Sequence, residues 1–212
     1  MIRAVFERLH GQYVHSRRVT VLARHFAQLL PPNASGLDVG CGDGQLAKQL
    51  MELRPDVRIV GIDVLAREVC SIPFELFDGQ TIPYPNDSFD VTILVDVLHH
   101  TQEPMVLLSE ASRVAKTGVL IKDHLLDGLG AGPTLRFMDR VGNRRHGVVL
   151  PYNYWPHDRW RIAFNELGLS VVAWTTRLGL YPPPGKWIFE RSLHFIARLD
   201  GNSDNGNPRA TG

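Results

Sequence analysis

Between Leu37 and Gly44 the chain reads Leu-Asp-Val-Gly-Cys-Gly-Asp-Gly, an apolar strand that ends in an acid and runs into glycines at alternate positions. Glycine takes positive φ without a Cβ clash, so this spacing forces a sharp turn, and Gln45 to Leu53 continues as the helix such a turn feeds. The same alternation continues along the chain. Gly36 to Val39, Val57 to Asp63, Phe74 to Phe77, Val91 to Val97 and Val119 to Lys122 read as strands. Between them helices are expected from Gln45, near Ala66, and through Leu107, Ala111 and Val114 to a stop at Gly118. Ahead of them Val19, Leu22, Phe26 and Leu29 recur at helical spacing until Pro31-Pro32 ends the segment. A last helix runs from about Asp158 with Trp160, Phe164 and Leu167 on one face and Gly168 as its stop. Leu169 to Thr176 and Ser192 to Leu199 then follow as strands with no helix between them, hence as an antiparallel pair. The pattern predicts a doubly wound α/β sheet of about seven strands, mostly parallel with a C-terminal antiparallel strand, and helices on both faces.

A chain of 212 residues, 44% hydrophobic and 21% charged, fits one domain with a substantial core. We read residues 1–200 as that domain, with 1–34 an N-terminal helical segment and 125–156 an insertion. Residues 201–212, made of Gly, Asn, Ser, Asp and Pro with little to bury, read as a disordered tail. The net charge of +1 gives no basic face, and the one local cluster, Gly142 to His146, argues weakly for a nucleic-acid partner. The two cysteines, Cys41 in the glycine turn and Cys70 in an expected helix, are expected to lie too far apart for a disulfide, which fits a reducing compartment. No apolar run approaches the ~20 residues that span a bilayer, and arginines, histidines and a glutamate interrupt the N-terminus where a signal core would lie. A cytoplasmic location is expected.

In a sheet of this kind a ligand binds beyond the carboxyl ends of the parallel strands. Glycines there remove the Cβ atoms that would hold a flat cofactor off the turn, which points to a nucleoside-binding crevice. The spacing is G-x-G-x-G, not the G-x-G-x-x-G of dinucleotide enzymes, and Asp38 precedes the first glycine. Both features argue against NAD and for S-adenosylmethionine, which has no pyrophosphate to seat on a helix N-terminus but carries an ammonium group that Asp38 can attract. A second strand ends at Asp63 about 20 residues on, where one carboxylate can take both hydroxyls of a ribose.

Phe77-Asp78-Gly79, the run from Ile82 to Phe89-Asp90, and an apolar strand closed by Leu98-His99-His100 follow in order. With the glycine turn and Asp63 this series resembles the class I S-adenosylmethionine-dependent methyltransferases, closest to the branch typified by ubiquinone and menaquinone biosynthesis methyltransferases. The resemblance covers Ser35 to Ile121 and implies a Rossmann-like sheet, S-adenosyl-L-methionine as cofactor and S-adenosyl-L-homocysteine as product. It implies Asp38, Gly40, Cys41, Gly42 and Gly44 around the methionine portion and part of the ribose, and Asp63 with its neighbour Val64 at the ribose hydroxyls. Asp78 would accept from the adenine amino group while Gly79 leaves room, and Asp96 would lie near the methionine end, where family members use mostly backbone atoms. Each acid has an alternative role as a turn residue or helix cap.

Methyl transfer is an in-line displacement at a carbon already activated by positive charge. The chain must hold the acceptor in line and exclude water, and a base helps where the acceptor is a hydroxyl or a protonated amine. His99, His100, Asp123 and His124 are the candidates by position, at the ends of the fourth and fifth strands. One of the adjacent histidines could equally pack inward or cap the next helix. No metal site is expected, because neither a carboxylate triad nor Cys-His spacing accompanies these residues.

The 125–156 insertion mixes glycines, arginines and aromatics and reads as a lid over the crevice, with Arg136, Tyr152, Tyr154 and Trp155 as substrate residues. The alternative is that its aromatics complete a core under a long loop. Tyr181 to Arg191 leaves the sixth strand on the same side, and Tyr13, Arg17 and Arg18 of the first helix could border the cofactor. The expected acceptor is a small molecule, aromatic or isoprenoid-like, methylated on oxygen in preference to nitrogen or carbon. Two alternatives stand beside it. One is a tRNA or protein methyltransferase meeting phosphates through Arg136, Arg140, Arg144 and Arg145. The other is a non-catalytic partner subunit, against which the intact glycine turn and Asp63 argue. The oligomeric state stays open.

Overall fold

A computed structural model of the chain describes residues 2–142, 151–183 and 185–201, with side chains from Ser16 onward. Its elements run α1 (Ile2–Leu29), β1 (Ser35–Val39), α2 (Gln45–Leu53), β2 (Arg58–Asp63), β3 (Phe74–Leu76), β4 (Phe89–Val95), a single 3-10 turn (Leu98–His100), α3 (Pro104–Val114), β5 (Ala115–His124), α4 (Ala131–Gly142), α5 (His157–Glu166), β6 (Leu169–Thr175), α6 (Lys186–Phe189) and β7 (His194–Gly201). The strands form one sheet of seven in the order β3-β2-β1-β4-β5-β7-β6. β1 to β5 pair in parallel, and β7 runs antiparallel to both its neighbours, β5 and β6. This is the doubly wound, Rossmann-like arrangement that the strand–helix alternation predicts.

Alternate side chains on a strand point to opposite faces, and here each face is covered by helices. Leu94 of β4 joins a core with Leu107 and Ala111 of α3 and Trp160 and Phe164 of α5. Its neighbour Ile93 joins the other core, with Phe26 of α1 and Ala47 and Leu50 of α2. Fully burying one such Leu or Phe contributes about 1.5–3 kcal/mol, which is why these strands read as nearly unbroken apolar runs. The chain leaves β1 to build β2 and β3 on one side and returns to build β4 on the other. The gap beyond the ends of β1 and β4 is therefore the place where strand order reverses, which is where a sheet of this kind forms its ligand crevice.

Several expectations need correction. Residues 64–73 form no helix near Ala66. Their backbone instead bonds to its neighbours, with Ser71 N–H donating to Asp43 O of the glycine turn and Pro73 O accepting from Gly61 N–H of β2, both at 2.9 Å. Cys70 therefore lies in this connection, and its thiol interacts with that of Cys41; both are unbridged, so the expected separation was wrong. α3 stops at Val114, ahead of Gly118, which belongs to β5 and lets Leu199 of β7 approach: a Cβ at Gly118 would run into the Leu199 carbonyl oxygen. The 125–156 insertion is not a simple loop but contains α4, and the short α6 stands between β6 and β7. Residues 143–150, with Arg144, Arg145 and His146, and the proposed tail from 202 onward lie outside the described residues, as does the Tyr13 side chain. Among the described residues no helix is long and apolar enough to cross a membrane.

Candidate active site

β1 delivers the chain into the turn at φ values of 74°, 59° and 70° for Gly40, Gly42 and Gly44, a region where side chains are strained. Packing fixes two of these glycines. A Cβ at Gly40 would lie 2.6 Å from Val97 Cγ2, and one at Gly44 would lie 2.9 Å from both Cys70 Sγ and Ile72 Cγ1. A Cβ at Gly42 would meet nothing within 4 Å, so this glycine borders open space. Cys41 turns its side chain inward, where an added Cβ on Gly61 would sit 2.5 Å from its sulfur, and burial raises its thiol pKa. Only its backbone reaches the turn's outer side.

The turn is held by the second acid. The N–H groups of Gly40 and Cys41 donate to Ile62 O at 2.7 and 3.1 Å, and Gly42 N–H donates to Asp63 Oδ2 at 2.8 Å. Asp63 Oδ1 accepts from Leu65 N–H at 2.8 Å, and Arg67 stands 3.5 Å from Oδ2. A carboxylate has about four acceptor positions, so Asp63 keeps capacity for a diol while it orients the glycines. Val64 is 55% exposed at the rim, where a Cβ on Gly79 would come 3.0 Å from its Cγ1. Asp78 Oδ1 accepts from the N–H groups of Gln80 and Thr81 at 2.8 and 2.7 Å, and these bonds lower its pKa. The turn role of Asp78 is thus realised on one oxygen, with the other left over.

Asp38 differs from both. It is 4% exposed, and its carboxyl accepts no hydrogen bond among the described residues. Burial, followed by the nearby Asp63 and Asp43, pushes its pKa up to about 7. A buried carboxyl without a partner is costly when ionised, so a cationic ligand group would relieve it. The open space at Gly42, the uncompensated Asp38 and the spare capacity of Asp63 together fit an adenosyl ligand bearing an ammonium group.

Across the crevice, the ends of β4 and β5 carry a second and denser set of polar groups. Asp96, at φ 56°, pairs with Arg18 of α1 and with the fully buried Lys122 of β5, and lies 3.2 Å from His124 Nδ1. Burial alone would raise its pKa, but Arg18 and Lys122 hold it well below the carboxylate range. Its side chain is committed to this network, which leaves only its backbone to face the turn. His99 is 0% exposed, and its Nδ1 shares a 2.6 Å hydrogen bond with Asp123 Oδ1 while its Nε2 stands 3.3 Å from Asp139 Oδ2. Burial opposes a charge on His99, yet Asp123 and Asp139 push its pKa up to about 10. Asp123 also accepts from the N–H groups of Leu98 and His124 at 3.1 and 2.7 Å, so it positions its neighbours rather than facing the crevice. The His100 ring lies 3.9 Å from that of His99, and burial together with the charge of His99 lowers its pKa to about 4. The His124 ring packs 4.4 Å from His99 and 4.9 Å from His194. His99 Nε2, His100 Nδ1 and His124 Nδ1 are all buried without a hydrogen-bond partner.

Three members of this set escaped the sequence reading. Lys122 and His194 are carried by adjacent strands and stand 3.3 Å apart. Asp139 is brought in by α4, on which Ala131, Leu135 and Asp139 form one buried face at intervals of four. That period was the available signal. Tyr154 of the insertion is 7% exposed and donates its hydroxyl to Asp139, and Asn153 ties the segment to the histidine turn through His99 O and Thr101 O at 3.1 and 2.6 Å. Tyr152, at φ 58°, packs against Tyr154 and lies 5.8 Å beneath the exposed Arg136. Trp155 does not join them. It packs 4.8 Å from Trp160 against the main core, with Arg159 over its other side, so for this residue the core reading replaces the lid reading. Arg17 reaches Gly179 O at 3.1 Å, and Arg18 enters the site through Asp96.

A family profile described as a methyltransferase domain matches residues 37–121. The 27-O-demethylrifamycin SV methyltransferase of Amycolatopsis mediterranei (strain S699) is 30% identical over 187 residues, covering 77% of this chain and 67% of that protein. Phosphoethanolamine N-methyltransferase 1 of Arabidopsis thaliana is 34% identical over 134 residues, 56% of this chain but only 27% of the plant protein, so the chain spans about a quarter of that relative. A crystal structure of an S-adenosylmethionine-dependent methyltransferase from Thermotoga maritima superposes with a TM-score of 0.62 at 17% identity, over 93% of this chain and 96% of that one. Sequence, sheet order and a crevice suited to an adenosyl cation thus agree, and the chain belongs to the class I S-adenosylmethionine-dependent methyltransferases.

Proposed function

We propose that this enzyme transfers the methyl group to an oxygen of a small-molecule acceptor, whose hydroxyl docks against His124 beneath the insertion that carries Tyr152 and Tyr154. The observation that carries this reading is His124, buried where β4 and β5 end, with its Nδ1 3.2 Å from Asp96 Oδ1 and its ring stacked on Tyr154. An imidazole oriented by a carboxylate on one side can take a hydroxyl proton on the other, and the aromatic cover excludes the water that would compete. The O-methyltransferase named in Amycolatopsis mediterranei is in keeping with an oxygen acceptor.

S-Adenosylmethionine, when bound, supplies a methyl group made electrophilic by its sulfonium charge. The chain's own part is to bind and orient. Asp38 meets the ammonium group, Asp63 the ribose hydroxyls, and Gly42 leaves the room; Val64, Asp78 and Gly79 border the adenine. Asp123 holds His99 and the backbone of His124 in place, and Asp96 with Arg18 and Lys122 fixes the wall between cofactor and acceptor. Residues 1–200 act as one domain, with 125–156 as its cover, and the free thiols of Cys41 and Cys70 suit a reducing cytoplasm.

Transfer of labelled methyl groups to a panel of hydroxylated aromatics, prenylated phenols, amines and bulk tRNA tests the reading. Label on a hydroxyl of a small molecule is expected. Label confined to tRNA, with binding that weakens steeply as salt rises, would overturn it.

A further inference from the structure

His99, His100 and Asp139 each offer one donor atom, and these atoms lie within 4.8 Å of one another. We propose that they form a binding site for a single divalent first-row transition metal ion, of the zinc, iron(II), manganese or cobalt kind, beside the acceptor pocket.

The argument starts from His99. Its Nδ1 is taken by Asp123 at 2.6 Å, which fixes the ring and presents Nε2 to the interior. That is the arrangement in which a second carboxylate orients a metal-ligating imidazole and raises its basicity. Nε2 is fully buried, lacks a hydrogen-bond partner, and faces Asp139 Oδ2 at 3.3 Å. A lone pair on nitrogen and one on a carboxylate repel unless a proton or a cation stands between them. A proton would satisfy that pair alone, whereas His100 Nδ1 is also buried and unpartnered in the same cluster. A metal ion serves all three donors at once.

Two nitrogens and one carboxylate favour a borderline transition metal over magnesium or calcium, and three protein ligands leave coordination positions open. Tyr154, donating to Asp139, orients the carboxylate ligand as Asp123 orients His99. The charges agree as well. Asp96 is already neutralised by Arg18 and Lys122, while Asp123 stands behind His99 and supports a cation on its far side. Asp96, His99 and His124 form a second converging set, but its carboxylate already holds two cations, so the metal belongs on the Asp139 side. The sequence hid the site because its ligands come from the 3-10 turn and from α4, some 40 residues apart by chain order and in no recognised spacing.

This inference deepens the oxygen-acceptor reading and rests on it for its purpose. An acceptor hydroxyl in an open position would have its proton affinity lowered. The C–S bond to the methyl group then breaks with its electron pair left on sulfur, the O–C bond forms, and the hydroxyl proton leaves to His124.

The test is binding. The full chain is stripped with a chelator and titrated with Co²⁺, followed by visible absorption and by metal analysis after dialysis, with S-adenosylmethionine affinity measured in parallel. One cobalt per chain with ligand-field bands is expected, displaced by Zn²⁺ and lost in Asp139→Asn and His100→Gln, while both variants keep their S-adenosylmethionine affinity. Retained cofactor binding with no stoichiometric cobalt and no bands would overturn the metal site and leave His99 as an imidazolium bridging two carboxylates. Bands that survive both substitutions would overturn the ligand assignment. Loss of methyl transfer to every hydroxyl with the metal bound would count against the oxygen-acceptor reading instead.

Discussion

The two walls of the crevice are built by opposite means. On the β1–β2 side the surface is mostly backbone, shaped by Gly40, Gly42 and Gly44 and pinned by one carboxylate, Asp63, within a short stretch of chain. On the β4–β5 side it is side chain, assembled from α1, the 3-10 turn, β5, α4 and β7. The first wall tolerates little change in shape but needs few particular side chains. The second is set by which charges face which, so its side chains can change without disturbing the first.

The sharpest way to break this contrast is Gly42→Val. Its Cβ enters open space, so the fold should survive with a penalty of about 1–2 kcal/mol for the left-handed conformation. Calorimetry should nonetheless show S-adenosylmethionine binding abolished. Binding that persists would mean the open space at Gly42 is not the cofactor's.

Next in size is Trp155→Ala, which should cost about 3 kcal/mol in denaturant unfolding because the ring packs on Trp160 and the main core. Tyr152→Ala is its counterpart on the acceptor side, and should raise the acceptor KM while leaving unfolding nearly unchanged. If the two effects trade places, the insertion's division into core and cover is drawn in the wrong place.

Asp63→Ala should weaken S-adenosylmethionine binding by about 2 kcal/mol, the range for hydrogen bonds to a charged group. It also frees Gly42 N–H, so amide exchange across Gly40 to Gly44 should quicken in the cofactor-free protein. Unchanged affinity would place the ribose elsewhere.

The effect spread most gradually over conditions concerns Asp38, whose folded pKa of about 7 stands above its ordinary 3.8. Between these values the folded state holds a proton that the unfolded state has released. Stability of the cofactor-free protein should therefore be greatest below about pH 4 as far as this group decides it, and fall as pH rises toward 7. Binding of a cation to the ionised form has the opposite slope. Affinity for S-adenosylmethionine should rise by about 1.4 kcal/mol per pH unit up to 7 and then level off, and Asp38→Asn should flatten the profile. A flat profile in the unaltered protein would remove Asp38 from the ammonium site.

The same contrast governs what the sequence discloses. β1, the glycine turn and β2 are read correctly because each feature is local: three glycines and two acids at fixed intervals define the geometry before any packing is known. The strands follow from their apolar runs, and the helix-stopping role of Gly168 follows from its position. Gly118 misleads because its small size serves a neighbouring strand, which is a tertiary requirement. The helix expected near Ala66 fails for a related reason, since its backbone groups bond to the turn and to β2 instead of to one another. His99, His100, Asp123 and His124 are legible as candidates, but not their ranking. Whether a histidine is oriented, bridged or left with a bare nitrogen depends on Asp139 and Lys122, which sequence order places far away. α4 could have been found from Ala131, Leu135 and Asp139, had the carboxylate been counted as part of the buried stripe.

β7 has a consequence for how the molecule comes into being. It is made after every other strand of the sheet, yet it lies inside the sheet, between β5 and β6. Until it docks, β5 presents an open row of amides and carbonyls, and β6 has nothing in the sheet to hold it. Pairings such as Gly118 with Asp200 enclose a long loop, which slows folding. A chain still being synthesised can close its glycine wall early. The wall at the ends of β4 and β5, where His194 packs against Lys122, must wait for β7, and a product cut short before it would leave the ribosome with an unfinished wall and a sticky edge.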